Sequence, residues 1–504
     1  MTKNLMGSFV RYFMKRRSQR LKKPMRPLET QNQLLLFLLQ RARNTEFGRI
    51  HGFQACKSYR EFSRRVPLFR YEDITSFIER MRKGEPDILW PGRTKWFAKS
   101  SGTTDAKSKF IPVTKDALYD CHYKAGTDMV ALYVKNHPKT GIFLGKGLRL
   151  GGSHELYESY GTLHGDLSSI ILKNLPFWAN ACSTPVKKVV LMSQWEAKLK
   201  EIIDQTIHQD VRSLFGVPSW MLVLLNKLLE RSEKTYLDEV WPSLEVFFHG
   251  GISFKPYINQ YNNLFQRPVN YYETYNASEG FFAFQDQSEE EGMLLLLNHG
   301  IFYEFIPMEE FYDQHPAIIS IEEVKINTNY AMVISTNAGL WRYIIGDTVR
   351  FVSISPYRII ISGRTKHYIN SFGEELIIEN AESALTRACL ETGAVVHEYT
   401  VGPIYMDRNS SGAHEWIVEF ERYPSDMERF REVLDNTLKA LNSDYEAKRY
   451  KDITLLPPVI QVAKKGLFYR WLKIRSKLGG QHKVPRLAND RKYLESLLHL
   501  SGMD

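Results

Sequence analysis

Ser100-Ser101-Gly102-Thr103-Thr104-Asp105-Ala106-Lys107-Ser108-Lys109-Phe110-Ile111-Pro112 sets four hydroxyls around one glycine and follows them with two lysines. Hydroxyls and backbone N–H groups can wrap phosphate oxygens, and a lysine supplies countercharge. The stretch lacks the G-x-x-x-x-G-K-[ST] spacing of a Walker A loop. A Ser/Thr/Gly run is also the composition of an ordinary surface turn, so phosphate binding needs support from elsewhere in the chain.

Working outward, Leu244–Phe248 is a short apolar run that stops at Gly250-Gly251, the pattern of a buried strand ending in a tight turn. Glycines there would let backbone approach a flat ligand closely. Tyr272-Glu273-Thr274-Tyr275-Asn276-Ala277-Ser278-Glu279-Gly280 follows. Its structural reading is a helix start capped by Ser278 with Glu279 in the first turn. Next come Gly339-Leu340-Trp341-Arg342-Tyr343-Ile344-Ile345-Gly346-Asp347, Ile361-Ser362-Gly363-Arg364-Thr365-Lys366 with Gly373-Glu374-Glu375 after it, and Gly479-Gly480-Gln481-His482-Lys483-Val484-Pro485-Arg486. Each alone reads as a turn or as charge in a basic tail.

Taken together and in this order, these segments resemble the Gretchen Hagen (auxin-responsive promoter) family of acyl-acid amido synthetases, within the adenylate-forming, firefly luciferase-like superfamily. The family's phosphate motif is S-S-G-T-S-x-G-x-x-K; Ser100, Ser101, Gly102, Thr103, Thr104 and Lys109 match it, while Ala106 stands where glycine is usual. The resemblance implies that these residues hold ATP phosphates. It implies that Gly250 and Gly251 lie along the adenine, and that Thr274, Tyr275 and Ser278 belong to the second nucleotide motif, with Tyr275 stacking on the base. Glu279 would ligate Mg²⁺ and assist catalysis, since a carboxylate is a hard oxygen ligand. Asp347 would accept both ribose hydroxyls, Arg364 would make a second ribose or phosphate contact, and Lys483 would be the catalytic lysine. The family form Y-R-Y-R-L-G-D is altered here: Trp341 replaces tyrosine and Ile344 the second arginine, while Arg342 and Asp347 remain.

The chain has 504 residues, which predicts more than one domain. The expected fold is α/β and α+β: a large N-terminal adenylation domain over 1–361 binding ATP and the acyl substrate, a hinge at 362–366, and a smaller, mobile α+β C-terminal domain over 367–504. Leading segments read as the helix Asn32–Arg43, strands Ala331–Ser335 and Thr348–Ser353, then helix Leu376–Cys389, strand Trp416–Phe420 and helix Ser425–Ala440. The acyl pocket is expected from 120–180 and from residues near His154, Tyr157 and Phe177.

A net charge of +10 could mark a nucleic-acid binder, but it sits at the ends: nine Lys/Arg and no acid in 1–27, thirteen Lys/Arg against three acids in 446–492, and a net negative body between. Helix-turn-helix, zinc and RNP signatures are absent, so no nucleic-acid partner is expected. Four scattered cysteines read as reduced and cytoplasmic. Trp220–Leu229 is about half of transmembrane length, so no membrane span is expected. The basic N-terminal stretch with Phe9, Tyr12 and Phe13 reads as a helix packed on the first domain or lying on a membrane surface.

The expected activity is that of a monomeric ligase. ATP and Mg²⁺ serve adenylation of a small carboxylic acid to acyl-AMP, and transfer to an amine, an amino acid in the resembled family, forms an amide. The alternatives are an acyl-CoA-type ligase with a thiol acceptor, a non-catalytic nucleotide-binding protein, or a basic nucleic-acid-binding protein.

Overall fold

Two kinds of strand pairing meet in one sheet. Val246–Gly250 is buried along nearly its whole length and pairs in parallel with Val211–Gly216 on one side and Asn270–Ala277 on the other. Strands covered on both faces read as continuous apolar runs, as Val246-Phe247-Phe248 does. Lys146–Arg149 and Ser183–Thr184 extend the parallel half. Beyond Asn270–Ala277 every pairing is antiparallel, through Gly280–Phe284, Met293–Leu295, Tyr357–Arg364, Tyr343–Ile354, Asn329–Thr336 and Ile301–Pro307. The computed structural model describes residues 2–21, 26–100, 109–151, 156–192, 194–251, 254, 257–287, 291–365, 368–369, 374, 376–405, 412–442, 445–446, 449, 455–475, 484–488 and 490–502.

The two strands that flank the hydroxyl-rich segment belong to a second, four-stranded sheet. Trp96–Ser100 and Lys109–Val113 run antiparallel, with Ser100 in register with Lys109, so the sequence between them bridges the two strand ends. Helix Pro27–Ala42 docks on the large sheet with Leu35, Leu38 and Leu39 in the shared core and with one polar side chain bonded to it. Gln31 donates to the carbonyls of Leu297 and Ile301 at 2.8 and 3.0 Å and accepts from the Tyr303 amide at 2.8 Å. The N-terminal helix Thr2–Arg20 packs against helix Lys124–Asn136, where Arg17 meets Asp128 at 2.5 Å and His299 meets the other Asp128 oxygen at 2.9 Å. Packing on the first domain is thus the arrangement found.

Arg342, expected beside Asp347 in the nucleotide motif, faces the other way. It is buried at φ +41° and its Nε and Nη2 bond Glu304 at 2.8 to 3.1 Å. Its Nη1 donates to the carbonyls of Ser63 and Val66, and Tyr59 donates to Glu304 at 2.9 Å. Trp341 beside it is buried among Phe47, Phe53 and Trp90 and donates to the Leu89 carbonyl. The turn therefore staples the N-terminal helices to the sheet.

The C-terminal part is α+β. Val395–Ile404, Ala413–Arg422 and Val459–Ala463 form a three-stranded sheet, and helices Ile378–Thr392 and Met427–Leu441 share its core. The first helix starts two residues after the expected Leu376, because Leu376–Ile377 pairs with Tyr368–Ile369. Helix Met427–Leu441 is capped by Asp426, which accepts from the amides of Glu428 and Arg429. Helices Leu467–Ile474 and Lys492–Ser501 join a core with Leu214, Trp220 and Phe247 of the large domain.

Removing one member of a buried ion pair strands the other charge. Glu304→Ala should lower the unfolding free energy by about 3–5 kcal/mol, whereas the double replacement Glu304→Leu/Arg342→Met should recover much of that loss. Denaturant unfolding of the three proteins checks it, and an unchanged midpoint for Glu304→Ala would contradict it.

Candidate active site

A cavity of about 1210 Å³ opens past the C-terminal ends of the parallel strands and is lined by Gly216, Gly250, Gly251 and the segment Thr274–Glu279. Crevices at the carboxyl ends of such strands, where the topology changes, are where α/β sheets bind ligands. Gly250 lies in register with Thr274, and a Cβ at Gly250 would meet the Thr274 carbonyl oxygen at 2.3 Å. Only glycine permits strands this close at that point. Gly251 has φ +86°, the left-handed region that glycine enters without penalty, and it turns the chain along the cavity wall.

Ser278 and Glu279 do not begin a helix. Ala277 pairs with Gly280, so the two residues form the tip of a hairpin that faces the cavity. The two-residue turn holds Glu279 where a helix start would have swung it along a helix axis. Tyr275 and Asp347 are both buried cavity residues, and the Tyr275 hydroxyl donates to Asp347 Oδ2 at 2.6 Å. Asp347 is in register with Arg364 on the neighbouring strand. Lys109 lines the same cavity with its Nζ 5.3 Å from the Tyr71 ring centre, and the Tyr71 hydroxyl accepts from the Phe110 amide at 2.8 Å. Ring and hydroxyl thus fix the start of the strand Lys109–Val113. Thr274 donates to the His249 carbonyl at 2.9 Å and locks the two strands at their ends.

Lys109, Gly250, Gly251, Thr274, Tyr275, Ser278, Glu279 and Asp347 are brought together. Ser100 and Arg364 enter through their backbone registers. Ser101, Gly102, Thr103, Thr104 and Lys483 lie outside the described residues, as do Ala106, His154 and Lys366; Val484, Pro485 and Arg486, next to Lys483, line the cavity. Arg486 is held by Glu398 and donates to the Tyr257 hydroxyl at 3.1 Å. Glu374 is buried in the C-terminal domain against His414 at 2.9 Å.

An arm of the cavity runs between Tyr123, Val130, Phe143, Ile171 and Leu172, within the expected 120–180 range. Tyr157 and Phe177 do not line it. They are 45% and 85% exposed, Tyr157 packing on His164 at the outer face of the small sheet. Leu175, Pro176 and Ala179 beside Phe177 do line the cavity, as do the aromatic Tyr123 and Phe143. Sequence reasoning missed Arg149 and His122. Arg149 closes a stretch, 142–149, that also carries Lys146, so nothing in the sequence singled it out.

The chain matches the GH3 family N-terminal domain over residues 17–269, the GH3 family central domain over 294–364 and the GH3 family C-terminal domain over 379–492. It belongs to the GH3 family. Curated GH3 relatives include the indole-3-acetic acid-amido synthetase GH3.3 of Arabidopsis thaliana, 21% identical over 93% of this chain and 90% of that protein. The indole-3-acetic acid-amido synthetase GH3.15 of the same plant is 22% identical over 93% and 92%. The solved GH3.15 acyl acid amido synthetase superposes with a TM-score of 0.78 at 18% identity, covering 94% of each chain. A 2-hydroxyisobutyryl-CoA ligase in the postadenylation state with 2-HIB-AMP gives 0.61 at 14%, covering 95% and 92%. The GH3 chain thus shares the fold of these structures, a mixed α/β large domain and a smaller C-terminal one. Among the described residues no helix is long and apolar enough to cross a membrane.

Two buried histidines in the cavity wall tie stability to pH. Burial lowers the pKa of His122 to about 4, against a hydrogen bond with Asn276 that raises it, and lowers that of His249 to about 3. His249 Nδ1 is buried without a hydrogen-bond partner among the described residues, while its ring stacks on Phe254 at 4.1 Å. Both are neutral when folded, so the unfolded chain takes up protons first. Their stabilisation is present above pH 6.5 and is lost as pH falls toward 4, by on the order of 3 kcal/mol each. Urea unfolding of the parent and His249→Asn should diverge below pH 6.5; parallel curves would refute the assignment.

Proposed function

We propose that this chain is an ATP-dependent acyl-acid amido synthetase. A carboxylate oxygen attacks the α-phosphorus of ATP, the bond to the β,γ-phosphates breaks, and pyrophosphate leaves. The amine of an amino acid then attacks the acyl carbon, AMP departs with the electron pair of the C–O bond, and the amine proton goes to solvent or a nearby base. The carrying observation is the convergence of Lys109, Gly250, Tyr275, Glu279 and Asp347 on one cavity that also has an apolar arm.

Each residue has work suited to its chemistry. Asp347, oriented by the Tyr275 hydroxyl, accepts the ribose hydroxyls, because one carboxylate takes several hydrogen bonds at once. Gly250 and Gly251 leave room for the adenine plane. Lys109 and the hydroxyl run it follows offset the β,γ-phosphates. The single carboxylate of Glu279 on a rigid turn suits Mg²⁺, which takes one or two protein carboxylates beside phosphate oxygens; bound there with ATP, it would supply charge compensation for pyrophosphate departure. Lys483, following the glycine pair Gly479–Gly480, would approach the reacting carboxylate. Rotation of the C-terminal domain about 362–366 would then admit the acceptor. The four cysteines, all unbridged, suit a reducing cytoplasm.

Exchange of [³²P]pyrophosphate into ATP, run over a panel of carboxylic acids, tests the first half-reaction. Product analysis with amino acids and with coenzyme A tests the second: amide supports the reading, and thioester alone replaces the acceptor. Asp347→Ala should cut exchange by at least about 100-fold while the variant remains folded by circular dichroism, since each hydrogen bond to a charged group contributes about 1.5–3 kcal/mol. Tyr275→Phe should raise the KM for ATP about tenfold with a smaller change in kcat. Full activity in Asp347→Ala would remove the ribose assignment.

A further inference from the structure

Arg149 ends the strand Lys146–Arg149 and lines the apolar arm of the cavity. Its guanidinium carbon lies over the Phe215 ring, 4.8 Å from the centroid. Its Nε is buried and has no hydrogen-bond partner, and no ion pair engages it among the described residues. The described lining of this arm, from Tyr123 to Cys182, contains no carboxylate. A guanidinium over a ring face keeps its N–H edge free for two parallel bonds to a carboxylate. Among the described residues the guanidinium meets no anionic partner, and a charge withdrawn from water without one is costly.

Register places this cation away from the nucleotide. Arg149 pairs with Phe215, Phe215 with Phe248, and Phe248 with Tyr272. Three strand spacings, plus three residues along the strand to Tyr275, separate the Cα atoms of Arg149 and Tyr275 by roughly 17 Å. The carboxylate to be adenylated must meet the α-phosphate at the other end.

Resting on the reading of this arm as the acyl site, we propose that the acyl substrate is a dicarboxylic acid, its distal carboxylate held by Arg149 while the other end is adenylated. The distal anion sets specificity and the methylene or aryl spacer fills the apolar arm. Burial lowers the Arg149 pKa to about 10, so the guanidinium stays charged at neutral pH.

The test uses the full chain and matched acids: hexanoate with adipate, heptanoate with pimelate, and phenylacetate with 4-carboxyphenylacetate. In pyrophosphate exchange the parent should favour at least one diacid over its partner by about tenfold or more in kcat/KM. Arg149→Met should bring that ratio to within about twofold while exchange with the monoacid persists, and Arg149→Lys should retain part of it. A parent that prefers every monoacid, or an Arg149→Met variant that loses both members of a pair equally with ATP binding and melting unchanged, overturns the proposal. Calorimetric binding of the same diacids separates it from the reaction itself. Diacid binding abolished by Arg149→Met, with no exchange for any acid, upholds the distal site and refutes adenylation. Absence of binding and exchange for every diacid overturns the site.

Discussion

The hydrogen bond from Tyr275 to Asp347 can form only if the large sheet folds over on itself. Four strand-to-strand steps separate Asn270–Ala277 from Tyr343–Ile354, a lateral distance of about 19 Å in a flat sheet. The two side chains nonetheless meet at 2.6 Å. The antiparallel half supplies the curvature through register shifts between Phe281 and Ala283, between Thr348 and Val349, and between Phe351 and Ser353. Bulges bend a strand and raise its twist, and one of these shifts lies directly beside Asp347. The intervening Met293–Leu295 is short, which keeps the fold line narrow. The site thus depends on irregularity in the sheet more than on its regular parallel core.

The curled sheet needs a fixed outer side, and Arg342 provides it. Its left-handed backbone lets the chain reverse between Asn329–Thr336 and Tyr343–Ile354, and its guanidinium gathers Glu304 and the carbonyls of Ser63 and Val66. Asp347 lies five residues further along, on the cavity side. One turn therefore serves two surfaces: the arginine anchors helices behind the sheet, and the aspartate faces ligand. The replacement of a second family arginine by Ile344 leaves this anchor intact, because the anchoring bonds belong to Arg342 alone.

Much of this was legible in the sequence, for physical reasons that differ by segment. The Ser100–Lys109 segment is bounded by strands because apolar and aromatic residues flank it, and Gly250 is required by an approach that no Cβ survives. Spacing between distant motifs gave their convergence only through family resemblance, since periodicity carries no information about strand order. Ser278-Glu279 misled because Ser followed by Glu is equally a helix cap and a hairpin tip; the partner strand Gly280–Phe284 decides it. Of the neighbourhoods expected to line the pocket, the one around Phe177 contributes Leu175, Pro176 and Ala179, while Tyr157 and Phe177 themselves are exposed; the other walls come from strand ends and from helix faces such as Val130 and Ile171. Arg149 was invisible because a cation at a strand end looks solvated until the Phe215 ring and the apolar arm are seen around it.

The placement of the C-terminal domain constrains how the proposed two-step chemistry could proceed. Phe468, Trp471, Leu472 and Val484 share a core with Trp220, Phe254 and Tyr257 of the large domain, while Gln260 donates to the Val396 carbonyl at 3.1 Å and Arg350 bonds Glu379 at 2.8 Å. Exposed ion pairs such as Lys473 with Glu196 add little and exchange easily with water. Apolar burial is different, for exposing it costs free energy in proportion to area. A rotation about 362–366 must therefore trade one apolar contact surface for another of similar area rather than release the domain into solvent. The Glu398–Arg486 pair stands at the cavity rim, so the same movement would carry an arginine away from the nucleotide end as it withdraws the segment containing Lys483. Adenylation and acyl transfer would then differ less in the groups fixed on the large domain than in which face of the small domain closes the cavity.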